Sequence, residues 1–244
     1  MSLIETHRDK FMKLVQFNNE NKCIEYINKY DDFYNAIYRN NSHPNMLQLA
    51  CAYRMDNVAI ALIDKKCDLT YQDIDGYTAM MIASCFGLKN VVAYIINNST
   101  DIITRTLQDG ESEILYLHHK QDVDNIIRMI DRGYNIYHET VDNRTLFTSA
   151  LSCESERVVK KLIDIDTDFI EEFEMLYYLD HMGGKFCNNI AKYCVDKYDG
   201  YKHEIIAAMN DTSPTNILYQ SFRNTYAVEL VDIICDFILL KLKI

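Results

Sequence analysis

From Asn45 to Phe169 the chain repeats its own pattern with a period of about 33 residues, the length of one supersecondary unit. Such a unit cannot bury its apolar face alone and must stack on its neighbours. This property predicts a solenoid with a core that runs on from unit to unit.

The best-formed unit opens at Asp73 and reads DIDGYTAMMIASCFGLKNVVAYIINNSTDI. Asp75-Gly76 is a turn signal, and Gly76 can take the positive φ that a tight hairpin demands. Thr78 stands where a helix N-cap belongs. Met80, Ile82 and Ala83 are expected to form the apolar face of a first helix, and Gly87 to end it as a C-cap residue does. Val91, Val92, Ile95 and Ile96 then recur with the spacing of a second helix.

The grammar recurs on both sides. Ala50 precedes Ala83 by one period, and Leu62-Ile63 precede Ile95-Ile96 by the same interval. Gly110 follows Gly76 by one period, as Met129-Ile130 follow Ile95-Ile96. Thr145 and Ala150 each lie two periods beyond Thr78 and Ala83, and Val158-Val159 and Leu162-Ile163 keep that offset.

Asp73, Gly76, Thr78, Met80, Ala83 and Gly87 supply the skeleton of D-x-x-G-x-T-P-L-H-x-A-A-x-x-G, and on these residues the chain resembles the ankyrin-repeat family. It departs by carrying Ala79 for Pro and Met81 for His. Elsewhere Asn143 stands for the turn glycine, and Arg54, Gln121 and Glu154 for the mid-repeat glycine. The resemblance implies an all-α fold, an ankyrin-repeat solenoid of stacked helix–turn–helix units with short hairpin loops. About six repeats are expected, the terminal ones degenerate. The expectation is one domain over 1–244, with a degenerate N-terminal cap at 1–39 and four clear repeats at 40–169. Degenerate repeats and a C-terminal cap fill 170–244.

Phe11, Leu14 and Val15, then Cys23, Ile24 and Ile27, read as two short amphipathic helices of the first cap. After Ile170 the register is lost and DHMGGK, from Asp180 to Lys185, interrupts it. Ile190, Tyr193, Cys194 and Val195 suggest an outer helix beyond the break. A last pair is expected over Pro214–Arg223 and Tyr226–Leu242.

Composition bears on partners and compartment. With 7 Gly and 2 Pro in 244 residues there is no stretch that reads as a flexible linker, which favours one continuous body. A net charge of −11 without a basic stripe repels a phosphate backbone, so no nucleic acid is expected as partner. Eight cysteines occur without a C-x-x-C pair or a secretory signal, and are expected as buried free thiols in a reducing compartment. No apolar run reaches the ~18–20 residues that span a bilayer, so no membrane association is expected. A monomeric, cytoplasmic protein follows as the expectation.

The resemblance implies a concave face lined by hairpin tips and first helices. Equivalent positions place Ser42, Asp75, Asp109 and Asp142 before the turn, and Pro44, Tyr77, Glu111 and Arg144 after it. Late on the first helices come Ala52, Cys85, His119 and Ser152, then Tyr53, Phe86, Lys120 and Cys153. The partner-binding set expected on this face is Tyr53, Asp75, Tyr77, Phe86, Asp109, Glu111, His119, Lys120, Asp142 and Arg144. Tyr53, Tyr77 and Phe86 are expected to share one patch, as exposed aromatics on a rigid scaffold do at binding hot spots. The same aromatics could equally pad the space between helices, and Asp before a turn glycine serves the turn itself. A basic or amphipathic segment would match such a face.

Catalytic and cofactor patterns are not found. His118-His119 are adjacent on a helix and point about 100° apart, so they cannot chelate one metal ion as an i, i+4 pair does. Gly183-Gly184-Lys185 lacks the first glycine of a phosphate loop, and Phe186 stands where Ser or Thr is required. His181, Cys187, Cys194 and His203 contain the elements of a Cys/His nucleophile, but no spacing singles them out. The expectation is no catalytic residue, no metal and no cofactor.

Two functional readings stand side by side. The first is a non-catalytic module that binds one partner protein through the concave groove. The second is an adaptor that recruits a protein to an enzyme complex such as a ubiquitin ligase through residues 170–244. Heavy use of Asn, Ile, Lys, Tyr and Asp is what an AT-rich genome encodes. In this the chain resembles ankyrin proteins of giant amoebal DNA viruses, which implies action on host proteins in the host cytoplasm.

Overall fold

A computed structural model describes residues 2–39, 41–179, 184–222 and 233. Apart from Ile233, the expected closing helix at Tyr226–Leu242 lies outside the described residues, as do Asp180, His181 and Gly183. The chain divides into two compact units, Met1–Ser152 and Cys153–Ile244.

The first unit is built from four helix pairs and one further helix. These are α1 (Leu3–Gln16) with α2 (Glu20–Lys29), α3 (Met46–Ala52) with α4 (Asp56–Asp64), and α5 (Ala79–Cys85) with α6 (Lys89–Asn98). Then come α7 (Glu113–His119) with α8 (Val123–Asp131), and α9 (Leu146–Ser152). The odd-numbered helices pack in one row, α1 on α3, α3 on α5, α5 on α7 and α7 on α9. The even-numbered helices pack in a second row, α2 on α4, α4 on α6 and α6 on α8. Each pair therefore buries its apolar stripes against the pairs before and after it.

The starts of the inner helices are set by side-chain caps. Asn45 and Gln48 form a reciprocal capping box at α3, each side chain bonding the other's backbone N–H at 2.9 Å. The Thr78 hydroxyl accepts from Met81 N at 3.3 Å and caps α5. The ends share one device. Arg54, Gly87 and Gln121 are left-handed, with φ of 59°, 73° and 56°. Beyond them the amides of Met55, Leu88 and Asp122 donate back to the carbonyls of Ala50, Ala83 and Leu117. That is a Schellman closure, which reverses the chain directly into the outer helix. Asn18, with φ of 51°, makes the same turn after α1, and Asn19 N reaches Leu14 O at 3.2 Å. The N-terminal pair is thus built like the others.

Ala50, Ala83 and Ala150 are fully buried on the inner row, and Val58, Leu62, Val91, Val92, Ile95 and Ile96 on the outer row or beside it. The apolar face expected for α5 is corrected in one position. Met80 and Ala83 are buried as expected, but Met81 is fully buried while Ile82 is only half-buried. Inner helices touch a neighbour on more than one side, so their buried arc is wider than a surface helix's stripe.

The second unit holds α10 (Glu156–Ile165), α11 (Asp168–Leu179), α12 (Lys185–Asn210) and α13 (Ile217–Phe222). α10 packs on α11 and α12, and α12 on α13. The short outer helix expected around Ile190 is instead a 26-residue helix. No proline falls in this stretch, and Gly200 alone is too weak a breaker to end a helix. Ile190 and Cys194 are buried on it, Tyr193 is half-buried, and Val195 is exposed, contrary to expectation. Tyr193 donates to Asp164 Oδ1 at 2.6 Å, from α12 to α10. Tyr94 makes the same bond to Asp64, from α6 to α4. In its own unit α12 therefore stands to α10 as one outer helix stands to the next. Among the described residues no helix is long and apolar enough to cross a membrane.

Candidate functional site

The hairpins of the first unit share one backbone pattern. Asp73, Leu107 and Thr140 donate their amides to the carbonyls of Tyr77, Glu111 and Arg144 at 2.9–3.0 Å. The turn residues Gly76, Gly110 and Asn143 are left-handed, with φ of 88°, 82° and 58°. A Cβ on Gly76 would lie 3.1 Å from Thr106 O, and one on Gly110 would lie 3.3 Å from Val141 N, so successive hairpins nest backbone to backbone. Cross-links hold the row. Gln72 Nε2 donates to Thr106 O at 3.0 Å, and the fully buried Gln48 donates to Tyr77 O at 2.7 Å.

On this frame Asp75, Asp109 and Asp142 are exposed at the tips, in the expected column. Asp109 also serves its own turn, since its carboxylate accepts from Glu111 N at 3.0 Å. Tyr53, Phe86 and Lys120 are the C-cap residues of α3, α5 and α7. Tyr53 is 40% exposed and Phe86 38%. Their exposure follows from the left-handed closure, which lifts the last side chain of each inner helix out of the stack.

Two expectations are corrected. Glu111 is buried rather than presented, at 8% exposure, with its carboxyl group against His119 Nδ1. Burial raises its pKa although His119 and Arg144 both pull it down. It sits just ahead of the Ser112 cap of α7, and its side chain folds back over that helix. Tyr77 does not join Tyr53 and Phe86 as a free aromatic. Its ring stands edge-on to Tyr116, with centroids 5.9 Å apart.

Tyr116 is the residue that sequence reasoning missed. It is buried on α7 and has Lys120 Nζ 5.2 Å from its ring centroid, one helical turn on. Burial first, then Cys85 beside its hydroxyl, raises its pKa. Arg144 Nη1 lies 3.4 Å from His119 Nε2. The structure thus brings Tyr77 and Lys120 onto the Tyr116 ring, and links Glu111, His119 and Arg144 in a second group. The one available signal was the i, i+4 spacing of Tyr116 and Lys120.

The arrangement offers contact chemistry. Among the described residues no group of three or more His, Cys, Asp or Glu is placed to hold a metal ion. The seven described cysteines are free thiols. Burial pushes the Cys67 and Cys194 thiols up to about 12 and Cys23 to about 11, away from nucleophilic thiolate. Cys85 and Cys153 are exposed, against the expectation of buried thiols, because they lie at or just past the ends of inner helices.

The family model for ankyrin repeats, in three copies, matches residues 11–106. That range begins within α1 and closes after α6, so it takes in the N-terminal pair that looked degenerate. A comparison with curated proteins finds no match. The described residues form an all-α fold, and the first unit is a solenoid of stacked helix–turn–helix units that matches ankyrin repeats over residues 11–106. Ankyrin repeats generally mediate protein–protein interaction, and the family is typically non-catalytic.

Proposed function

We propose that this chain is a non-catalytic module that binds one partner protein through the face formed by the inner-helix ends and hairpins of residues 1–152. The observation that carries the reading is the placement of Tyr53 and Phe86. They stand at equivalent C-caps of successive units, exposed, on a backbone held by capping boxes, left-handed closures and inter-hairpin bonds. Aromatic side chains on a rigid frame lose little entropy on binding. The exposed Asp75, Asp109 and Asp142, with the net charge of −11, support a partner that offers a basic or amphipathic segment. The AT-rich type of composition supports the finer reading of a viral protein that acts on host proteins in the host cytoplasm.

Affinity capture with the wild-type chain and with Tyr53→Ala/Phe86→Ala tests the reading. Both residues are exposed, so the double variant keeps its unfolding temperature. A partner retained by wild type and lost by the variant supports the groove. Equal capture by both moves binding to residues 153–244 and favours the adaptor reading.

A further inference from the structure

The unit around α6 and α7 departs from its neighbours at two places, and the two departures meet. After α4 and after α8 the chain turns through a left-handed residue, Lys66 (φ 61°) or Gly133 (φ 84°), and then buries the next side chain, Cys67 or Tyr134. After α6 one extra residue is present. The interval between the turn glycines Gly76 and Gly110 is one residue longer than that between the outer stripes Leu62-Ile63 and Ile95-Ile96. There the helix ends on Ser99 with φ −66° and ψ 125°, and the left-handed turn is replaced by extended backbone.

The second departure is Glu113, the first residue of α7. At this register position α3, α5 and α9 bury Met46, Ala79 and Leu146. Glu113 is buried as deeply, at 3% exposure. Both departures face one cavity of about 380 Å³, lined by Ile63, Cys67, Met80, Ser99, Arg105 and Glu113 among others. A desolvated carboxylate and an unfilled space each cost stability, and the neighbouring pairs fold without either.

The charges decide what would fit. The Arg105 guanidinium is committed elsewhere, with Nη2 2.6 Å from Asp101 and Nη1 donating to Ile103 O at 3.2 Å. Its Nη1 lies 3.9 Å from Glu113 Oε2, within ion-pair range but beyond hydrogen-bond distance. The Thr78 hydroxyl donates to Glu113, and Tyr134 lies near it. Lys66 and Asp68 also line the cavity, and the Asp68 carboxylate accepts from Thr70 N at 2.8 Å and from the Thr70 hydroxyl at 2.6 Å. With every carboxylate ionised the lining carries Lys66 and Arg105 against Asp68, Asp101 and Glu113, an excess of one negative charge. We infer that this cavity binds a small organic cation, an ammonium or guanidinium head on a short apolar stem. Glu113 is its counter-ion, and Ile63 and Met80 contact the stem. An anion would meet the buried carboxylate, and a neutral ligand would leave the excess negative charge of the lining uncompensated.

The test is methyl-detected NMR of Ile63 and Met80 in the full chain at a pH near 8, where the carboxylates are ionised, titrated with n-butylammonium, butyrate and butanol. The expected result is saturable shifts with n-butylammonium alone, weakened at least tenfold in Glu113→Gln. Butyrate or butanol binding as well, no shift at all, or unchanged affinity in Glu113→Gln would overturn the proposal. Unfolding temperature shows that Glu113→Gln is folded. Nα-acetyl-lysine methylamide separates the sources of the cation. If it binds as well as n-butylammonium, the cation is a basic side chain of a partner. If only n-butylammonium binds, it is a free amine.

Discussion

The Tyr71 hydroxyl donates to the main-chain carbonyl of His43, the left-handed residue of the preceding hairpin, at 2.6 Å. Two repeats on, at the equivalent position, the His138 ring bonds Gly110 O at 2.8 Å, again the left-handed residue of the hairpin before it. Two different side chains make the same link because the register brings the same backbone acceptor to each. The hairpins are therefore a row tied side to side, and the acidic tips are held at fixed spacing.

Removing one tie loosens the row locally. Tyr71→Phe is expected to cost about 1 kcal/mol, the net value of one hydrogen bond. Amide exchange in the hairpin at 42–44 quickens while the α5–α6 pair is unchanged. Uniform acceleration across the first unit would show that the bond serves the core and not the hairpin.

The left-handed closures predict an uncommon direction of change. Arg54 and Gln121 hold φ of 59° and 56°, where Gly87 holds 73° without strain. Arg54→Gly and Gln121→Gly are each expected to stabilise the chain by about 1 kcal/mol, despite the added freedom of the unfolded chain. A Cβ at Gly87 meets nothing within 4 Å, so Gly87→Ala isolates the strain and is expected to cost about the same. Chemical denaturation measures all three. Destabilisation by both glycine variants would contradict the closure.

How far these features were legible in the sequence depends on the kind of signal each one leaves. The periodicity alone located α3 to α10, and equivalence with Gly87 identified Arg54, Gln121 and Glu154 as turn residues. Glu154, with φ of 52°, confirms the last of them. The exposed Tyr53 and Phe86 followed from the same alignment. Glu111 did not, because its burial depends on His119 folding over it, a contact between two side chains that no periodicity records. Tyr116 carries no mark in the alignment, and its contacts with Tyr77 and Lys120 arise only once the helices are stacked. Glu113 was visible only as a charge where the other units carry Met46, Ala79 and Leu146. The length of α12 was hidden because a missing breaker leaves no motif.

Glu113 ties stability to pH. Burial, opposed by Thr78 and Arg105, raises its pKa from 4.5 to about 7. Below 4.5 the group is protonated in both states and carries no penalty. As pH rises to about 7 the unfolded chain releases the proton while the folded chain retains it, so stability falls and then levels off. The total is about 3 kcal/mol. Glu113→Gln is expected to match wild type near pH 4 and to exceed it by about that amount near pH 8. Thermal unfolding across this range measures it, and parallel curves for the two proteins would refute the burial of an ionisable carboxyl.

The central claim is that the inner-helix and hairpin face of residues 1–152 is where a partner sits. Hydrogen exchange of the wild-type chain, free and with its captured partner, tests it most directly. The account predicts slowed exchange in the closures at 53–55 and 86–88 and in the hairpins at 73–77 and 107–111, with the outer helices α4 and α6 unchanged. Protection confined to α4, α6 or residues 153–222 would contradict it.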